Sequence, residues 1–267
     1  MFNFLHNFLP QPILLQLGPL SIRYYGVLIF LALLAGILLA SKLAEKIKIS
    51  RDEVIDLALG LALVGIIGAR LYFVLILETG YFLQNPAEII KIWQGGLAIH
   101  GAIIGGIAFL IYWCRKNKKD FWQLADLIAV VLPLAQAIGR FGNYFNQELF
   151  GRPTTLPWGI PIDRSNRPLE FVNSTYFHPT FLYEAILNLI LFFILFFTYR
   201  YHKFSKGWYL GVYLIGYGLI RFVMEFLRID ETALMFGWRW PQVFSIIMIV
   251  VAGIILSILL KNKKSLK

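Results

Sequence analysis

Seven apolar stretches, each close to 20 residues long, limit what this chain can fold into. They cover approximately residues 21–41, 54–77, 96–114, 121–141, 180–200, 207–227 and 241–260. A helix needs roughly 20 apolar residues to cross a bilayer, where it satisfies its own backbone hydrogen bonds. The composition agrees, because 58% of the residues are hydrophobic and only 15% are charged. The sequence therefore predicts an all-α polytopic membrane protein with about seven transmembrane helices, in a single transmembrane domain over residues 1–267.

The basic residues predict the orientation of these helices. Fifteen of the 25 Lys and Arg residues follow the first, third, fifth and seventh stretches, and seven fall on the opposite side. Because cytoplasmic loops are enriched in Lys and Arg, we expect the C-terminus in the cytoplasm and the N-terminus outside. Residues 142–179 are then expected to form a small ordered cap at the outer face, between the fourth and fifth helices. Residues 1–20, which contain three prolines and no Lys or Arg, are expected to be a retained segment at the membrane surface.

The net charge of +10 does not indicate a nucleic-acid partner. The basic residues form short clusters between apolar stretches and no single basic stripe, which is not the pattern of a DNA- or RNA-binding surface. Cys114 is the single cysteine of the chain, so an intrachain disulfide is impossible. At the end of an apolar stretch, Cys114 is expected to be a small apolar filler.

Besides Arg23 and Arg200, which are counted with the flanking basic residues at the ends of their stretches, three arginines fall within the predicted transmembrane helices: Arg70, Arg140 and Arg221. An arginine in hydrocarbon costs at least about 2.5–3.5 kcal/mol, so each must have a partner or a wet cavity. Arg140 and Arg221 lie near the predicted outer ends of the fourth and sixth helices. They could therefore meet at one depth and face outward.

A glycine-rich segment, residues 95–106, opens the third apolar stretch and contains one histidine. Small residues at this spacing let helices pack closely, which accounts for the glycines by themselves. It does not account for His100, which lies in the apolar body of the stretch. An imidazole can handle protons near neutral pH or face a substrate. We favour that interpretation over a histidine that is merely satisfied by packing.

The segment that leaves the fourth stretch combines a cation, two amides and a carboxylate: Arg140, Asn143, Asn146 and Glu148. The planar fork of arginine suits phosphate oxygens, and the amides could add neutral donors. Gly151, one of several glycines here, would let the backbone approach a ligand closely. The alternative is an Arg140–Glu148 ion pair that closes the helix end.

Two further groups of polar residues lie at the fifth and sixth stretches. Glu184 is about one turn inside the fifth, where a carboxylate must be paired or protonated. An intramembrane arginine is its natural partner, and a structural ion pair and an active-site role are equally open. Tyr217, Arg221, Glu225 and Arg228 are spaced i, i+4, i+8 and i+11, so we expect one polar stripe on a single helix. Such a stripe faces the protein interior or a water-filled site.

In these blocks the sequence closely resembles the bacterial prolipoprotein diacylglyceryl transferase family. Residues 139–143, running on to Glu148 and Gly151, look like the signature motif of that family. The other family-like blocks, in the same order as in the family, are residues 23–26, 95–100, 178–184 and 221–228. The resemblance covers essentially the whole chain. Small departures are Tyr144-Phe145, Gln147 and Phe150, where the family pattern has Phe-Ile, Gly and Trp.

The resemblance implies a lipid-modifying transferase of the bacterial cytoplasmic (inner) membrane, with its site toward the periplasmic, outer face. Phosphatidylglycerol would donate its sn-1,2-diacylglyceryl group to the lipobox cysteine thiol in the signal-peptide region of a prolipoprotein. The products would be a thioether and glycerol-1-phosphate. The expected partners are these two substrates and membrane lipid, with no metal and no soluble cofactor.

The residues that match the family blocks receive roles on this basis. We expect His100, Arg140 and Arg221 to be catalytic, with the arginines at the phosphate and His100 as general base, assisted by Tyr25 or Tyr217. The expected substrate-binding residues are Tyr25, Arg140, Asn143, Asn146, Glu148, Gly151, Glu184, Tyr217 and Glu225.

Two other functions would also use charged residues within a membrane. A transporter or flippase for an anionic lipid or metabolite would need polar residues along a continuous path, and the predicted inner halves of the helices are largely apolar. A non-catalytic assembly factor would use the polar cluster as a docking surface. Flux without a covalent product would favour the first, and no lipid-modified product in a reconstituted assay would favour the second.

Overall fold

The computed structural model describes residues 2–18 and 20–265, so Met1, Pro19, Leu266 and Lys267 lie outside the described part. The fold is mostly helical, as the sequence predicts. The α-helices are α1 (Phe2–Asn7), α2 (Tyr24–Ala44), α3 (Arg51–Tyr72), α4 (Thr79–Gln84), α5 (Ile99–Lys116), α6 (Phe121–Phe145), α7 (Thr180–Tyr201), α8 (Trp208–Met224) and α9 (Trp240–Ser265). The antiparallel strand pairs are β1 (Ile13–Leu17) with β2 (Leu20–Arg23), β3 (Ile160–Pro161) with β4 (Tyr176–Phe177), and β5 (Leu234–Met235) with β6 (Trp238–Arg239).

Each of the seven predicted stretches contains one long helix. Among the described residues, five helical segments are long and apolar enough to cross a membrane: Tyr24–Ile47, Arg51–Leu77, Phe121–Phe145, Thr180–Tyr201 and Trp240–Leu259. Helix α8 is a shorter apolar helix. The all-α, multi-pass class is therefore confirmed, whereas seven crossings and their orientation stay predictions. The described residues group into two compact units, one of residues 40–124 and one that joins the chain up to 39 with the chain from 125 onward. A single domain over 1–267 likewise stays a prediction.

In the unit of residues 40–124, helices α3 and α5 pack through their glycines. A Cβ atom added to Gly101 would overlap the backbone carbonyl of Gly68, and one added to Gly105 would lie 2.9 Å from the Val64 carbonyl oxygen. Such contacts are possible only without side chains, so the predicted packing role of these glycines is confirmed. Helix α3 begins with a capping box, in which Ser50 and Glu53 bond each other's backbone N–H groups.

Arg70, near the end of α3, finds its partners in backbone carbonyls. Its guanidinium donates to Glu88 (2.6 Å), Ile89 (2.8 Å), Gly95 (2.8 Å) and Gly96 (3.1 Å). These bonds satisfy a cation that is only 7% exposed, as a buried charge requires. They also tie the segment 88–96 to α3 just before α5 begins.

In the other unit, Asp126 has a structural role at the start of α8. Its two carboxylate oxygens accept hydrogen bonds from the backbone N–H groups of Gly207 (2.7 Å) and Leu210 (2.8 Å). Helix N-termini leave such groups without intrahelical partners, and a carboxylate there is favourable. This accounts for an aspartate that is 4% exposed within α6.

The connection between α6 and α7 is an ordered, folded segment. The β3–β4 pair and two 3₁₀ turns, Arg164–Asn166 and Leu169–Phe171, shape it. It has a small apolar core made of Tyr144, Phe150, Ile160, Ile162, Phe177 and Phe181. Gln147 adds a polar anchor, because its amide donates to the Pro10 carbonyl and accepts from the Asp163 N–H. The predicted boundary at 142 is wrong, since helix α6 continues to Phe145.

Candidate functional site

Glu184 lies at the centre of a buried ion-pair cluster. Its carboxylate is 2.6 Å from Arg140, 2.7 Å from Arg228 and 3.7 Å from Arg221. The residue is completely buried in the first turns of α7. The prediction that an intramembrane arginine partners Glu184 is confirmed, and so is the meeting of Arg140 with Arg221, because both contact this carboxylate.

Glu225 is the second carboxylate of the cluster. It pairs with Arg221 at 3.2 Å and with Arg239 at 2.7 Å, and only 1% of it is exposed. Arg221 therefore bridges the two carboxylates. Arg239 is further held by the carbonyl of Asp230 at 2.7 Å and by its carboxylate at 3.5 Å.

The predicted stripe on one helix is only partly correct. Helix α8 carries Tyr217 and Arg221 but ends at Met224, so Glu225 and Arg228 lie in the turn that follows. The backbone of Arg228 forms an isolated antiparallel bridge with Gly151. Arg228 therefore contacts Glu184 from the segment that follows α8 and not from a helix face.

Guanidinium groups outnumber the buried carboxylates that they contact. Four arginines share Glu184 and Glu225, with Asp230 as a half-exposed addition. Two guanidinium nitrogens, Nη1 of Arg221 and Nε of Arg228, are buried without a hydrogen-bond partner among the described residues. A buried donor without a partner costs free energy. Nη1 of Arg221 lies 3.7 Å from Glu184, and one oxygen of each buried carboxylate also lacks a hydrogen-bond partner among the described residues.

Side chains at the end of α6 and just after it form a hydrogen-bonded arm that begins at Arg140. Arg140 donates to the side-chain oxygen of Asn143 at 3.4 Å, and the Asn143 amide donates to Glu148 at 2.7 Å. Asn146 also donates to Glu148, at 3.3 Å. The sequence left open whether Arg140 binds a ligand or forms an ion pair with Glu148. In the structure Arg140 forms its ion pair with Glu184, and Glu148 accepts hydrogen bonds from the Asn143 and Asn146 amides.

Two glycines are required here by close approach. A Cβ atom on Gly142 would lie 2.5 Å from the Tyr25 ring, and one on Gly151 would lie 2.8 Å from the Cβ of His178. The Tyr25 side chain is 37% exposed. Gly151 also donates its N–H to the His178 carbonyl at 3.0 Å. Because Gly142 and Gly151 have no side chains, the segments that carry Tyr25 and His178 can approach them closely.

Tyr217 is a half-buried residue of α8. Its ring stacks on that of Tyr213, with ring centres 5.7 Å apart and planes 11° from parallel. The Tyr213 hydroxyl in turn accepts a hydrogen bond from Gln136 at 2.8 Å. Tyr217 is therefore held by packing one turn before Arg221.

His100 belongs to the unit of residues 40–124, and its position corrects the sequence interpretation. It lies in the first turn of α5, not in the body of a helix, and its side chain is exposed. The reason is that Gly95 and Gly96 adopt positive φ angles of 94° and 71°, which a helix cannot include. Its ring lies 5.7 Å from that of Tyr72. The other predicted site residues lie in the other unit.

His178 lies two residues before α7 begins. Burial lowers its pKa below the ordinary value, because a buried imidazole loses hydration on gaining charge. Its Nδ1 hydrogen-bonds the Tyr183 hydroxyl at 3.2 Å, and that hydroxyl accepts from Trp158 at 2.8 Å.

The sequence reading omitted two arginines from the site, Arg228 and Arg239. Arg228 lies three residues after Glu225, and the sequence interpretation included it only as the last member of the predicted stripe, not as a site residue. Arg239 gave only one signal, a cation directly before the last apolar stretch. In the described part of the chain, no three His, Cys, Asp or Glu side chains are grouped as metal ligands, so no metal-binding set can be named.

The fold and the buried charges define a multi-pass helical membrane protein with a buried cluster of ion pairs. The chain belongs to the prolipoprotein diacylglyceryl transferase family, whose family model matches residues 12–258.

Curated relatives of similar length agree with this assignment. The phosphatidylglycerol–prolipoprotein diacylglyceryl transferase of Synechococcus elongatus is 48% identical over 248 residues, which cover 90% of this chain and 84% of the relative. The enzyme of the same name from Acaryochloris marina is 45% identical over 259 residues, covering 96% and 93%. That from Synechocystis is 43% identical over 262 residues, covering 95% and 92%. The resemblance found in the sequence is confirmed.

Proposed function

We propose that this protein transfers the sn-1,2-diacylglyceryl group of phosphatidylglycerol to the lipobox cysteine thiol of prolipoproteins. Membership of the family supports the reaction, and the names of the relatives supply donor and acceptor. One structural observation carries the proposal for the site: Arg140 and Arg221 meet at Glu184, and Arg221 keeps a buried Nη1 without a hydrogen-bond partner among the described residues. Such donors fit a phosphate diester.

The reaction breaks one carbon–oxygen bond and forms one carbon–sulfur bond. The cysteine thiol loses its proton, since the thiolate is the nucleophile. Its sulfur attacks C3 of the diacylglyceryl group, and the bond from that carbon to the phosphate oxygen breaks. The oxygen keeps the electron pair and leaves as glycerol-1-phosphate. Negative charge therefore grows on the phosphate, where fixed guanidinium groups stabilise the transition state.

Arg140 and Arg221 are the groups that bind this phosphate and stabilise its departure. Glu184 and Glu225 hold the guanidinium groups in place through the ion pairs described above. The arm of Asn143, Asn146 and Glu148, with the backbone at Gly151, shapes the headgroup side of the site. These hydrogen bonds link Arg140 to the end of α6, so a change in the arm would move the guanidinium.

His100 is the general base for the incoming thiol, assisted or oriented by Tyr25 or Tyr217. Support comes from its exposed imidazole in the first turn of α5 and from the family block that contains it. The Arg70 bonds to the carbonyls of Gly95 and Gly96 would fix the start of that helix.

The protein resides in the bacterial cytoplasmic (inner) membrane, with about seven crossings, the N-terminus outside and the C-terminus inside. The site faces the outer leaflet, under a cap that ends near residue 179. The excess of Lys and Arg after the odd-numbered stretches supports this orientation. A transferase here would meet prolipoproteins as they emerge from the cytoplasm, and it would need no metal or soluble cofactor.

The test is a reconstituted transfer assay. Purified protein, labelled phosphatidylglycerol and a lipobox peptide should give a labelled thioether, and a Cys→Ser peptide should give none. The variants Arg140→Ala and Arg221→Ala, with membrane insertion verified, should lose most of the activity. Near-wild-type turnover in both would contradict the phosphate role. Flux of lipid in vesicles without any thioether would instead favour a transporter.

The proton-transfer role of His100 requires a separate measurement. The pH–rate profile of His100→Gln should lose the limb that reports the base. His178→Gln is the matched control, because it makes the same substitution at a histidine that has no assigned role in proton transfer. A His100→Gln variant with the wild-type rate and the same limbs would refute the assignment.

A further inference from the structure

A cavity of about 730 Å³ lies against the arginine cluster and takes no part in the roles above. Its lining includes the three arginines Arg152, Arg228 and Arg239 and one carboxylate, Glu170. Phe171, with neighbouring prolines, supplies an apolar wall. We call this space the arginine cavity. Its mixed lining suits a small polar anion and not an acyl chain, which would strand the charged groups in hydrocarbon.

Two lining arginines also belong to the ion-pair cluster. Arg228 contacts Glu184 at 2.7 Å, and Arg239 contacts Glu225 at 2.7 Å. The arginine cavity therefore adjoins the proposed phosphate site, because Arg140 contacts the first of these carboxylates and Arg221 contacts both.

Arg228, in the lining of the cavity, has a hydrogen-bond donor that the described part of the chain leaves unused. It is 5% exposed, and its Nε is buried without a hydrogen-bond partner among the described residues. Arginine normally uses its donors in bidentate pairs with carboxylate or phosphate.

The position of Arg152 is fixed by its backbone. Its N–H donates to the Leu227 carbonyl at 2.9 Å, and its carbonyl accepts from the His178 N–H at 3.0 Å. The side chain itself is exposed. Arg152 thus brings a cation to the open side of the cavity, where an arriving or departing anion would meet it first.

We propose that the arginine cavity binds the leaving glycerol phosphate and conducts it from the transfer site. This inference rests on the proposed function. When the carbon–oxygen bond breaks, the phosphate changes from a diester with one negative charge to a monoester that can carry two. The monoester binds guanidinium groups more strongly than the donor lipid does, and it has lost the acyl chains that kept the donor in the bilayer. The charge of the monoester therefore favours its departure through the arginine cavity, which three arginines line.

The experiment measures inhibition of transfer by added sn-glycerol 1-phosphate, with the full-length protein, phosphatidylglycerol vesicles and a lipobox peptide. Two variants change the charge of the cavity in opposite directions. Arg152→Gln should raise the inhibition constant by about two- to five-fold, the range for an exposed charge pair. Glu170→Gln should lower it. Arg164→Gln is the control, because Arg164 is equally exposed but does not line the arginine cavity; it should behave as wild type.

The outcomes separate this inference from the proposed function. No thioether from the wild-type protein, without added glycerol phosphate, would contradict both. Normal transfer with the same inhibition constant in Arg152→Gln, Glu170→Gln and wild type would overturn the inference alone. A changed KM for the peptide, or for phosphatidylglycerol, with an unchanged inhibition constant would also overturn it, since the cavity would then hold a substrate.

Discussion

Replacing Arg221 by glutamine should separate catalysis from stability in this protein. Arg221 contacts both buried carboxylates, but from the longer distances of the cluster, 3.7 Å to Glu184 and 3.2 Å to Glu225. Glutamine keeps much of the side-chain volume and removes the charge. We expect a strong loss of transfer activity and a small change in the free energy of unfolding.

The expected change in the free energy of unfolding is small because neither Glu184 nor Glu225 loses its nearest partner. Glu184 keeps Arg140 at 2.6 Å and Arg228 at 2.7 Å, and Glu225 keeps Arg239 at 2.7 Å. The large penalty for breaking a buried pair, about 3–5 kcal/mol, arises when a charge is left without compensation. That condition is not met here. The free energy of unfolding should therefore fall by about 1 kcal/mol or less.

The expected loss of activity is large because, in the proposed reaction, the Arg221 guanidinium stabilises the charge that develops on the phosphate. Removal of one preorganised donor to a transition-state oxyanion lowers kcat by about 10²–10³-fold, or about 2.7–4 kcal/mol. Arg221 supplies a buried Nη1 without a hydrogen-bond partner among the described residues. The expected loss of transfer rate in Arg221→Gln is thus about 10²–10³-fold.

Two assays on the same preparation check both expectations. Transfer is followed as labelled thioether on a lipobox peptide, and stability as loss of far-UV circular dichroism in an SDS titration. Arg115→Gln, the same change on an exposed side chain in the last turn of α5, is the control and should alter neither. The reasoning is refuted if Arg221→Gln transfers at near the wild-type rate, or if its stability falls as far as that of a variant without Glu184.

Three further predictions follow from other contacts. Glu184→Gln leaves several guanidinium groups without their shared carboxylate, so the SDS unfolding free energy should fall by about 3–5 kcal/mol; a loss below about 1 kcal/mol would contradict the central role of this residue. Gly101→Ala would push α5 off the Gly68 carbonyl and should speed labelling of the buried Cys114 by a thiol reagent, whereas unchanged labelling would argue against tight packing. Because burial lowers the pKa of His178, the folded state favours its neutral form, and stability is retained above the unfolded pKa of about 6.5 and lost as the pH falls below it. His178→Gln should therefore reduce the drop in thermal midpoint between about pH 6.5 and 5, and an identical drop would be evidence against the shift.

Local patterns were sufficient to predict the helices. Each apolar stretch contains a long helix, because a chain in lipid must satisfy its backbone bonds internally and long apolar runs leave little alternative. The observed helix boundaries differ from the predicted ones where the local sequence starts or ends a helix at a residue other than the one that hydropathy indicates. Gly95 and Gly96, with positive φ, delay α5 to Ile99, and α8 stops at Met224 although apolar residues continue.

The sequence by itself determined the class of protein, the family and the rule that Arg70, Arg140, Arg221 and Glu184 must be paired. That rule follows from the cost of a charge in hydrocarbon, which needs no coordinates. Only the tertiary structure decided the partners.

Arg70 pairs with carbonyls that lie 18 to 26 residues away in the chain, and Glu184 collects guanidinium groups from three other segments. Helical spacing predicts neighbours three or four residues apart. It contains no information on which distant side chains meet, because that depends on how the helices and the turns between them pack.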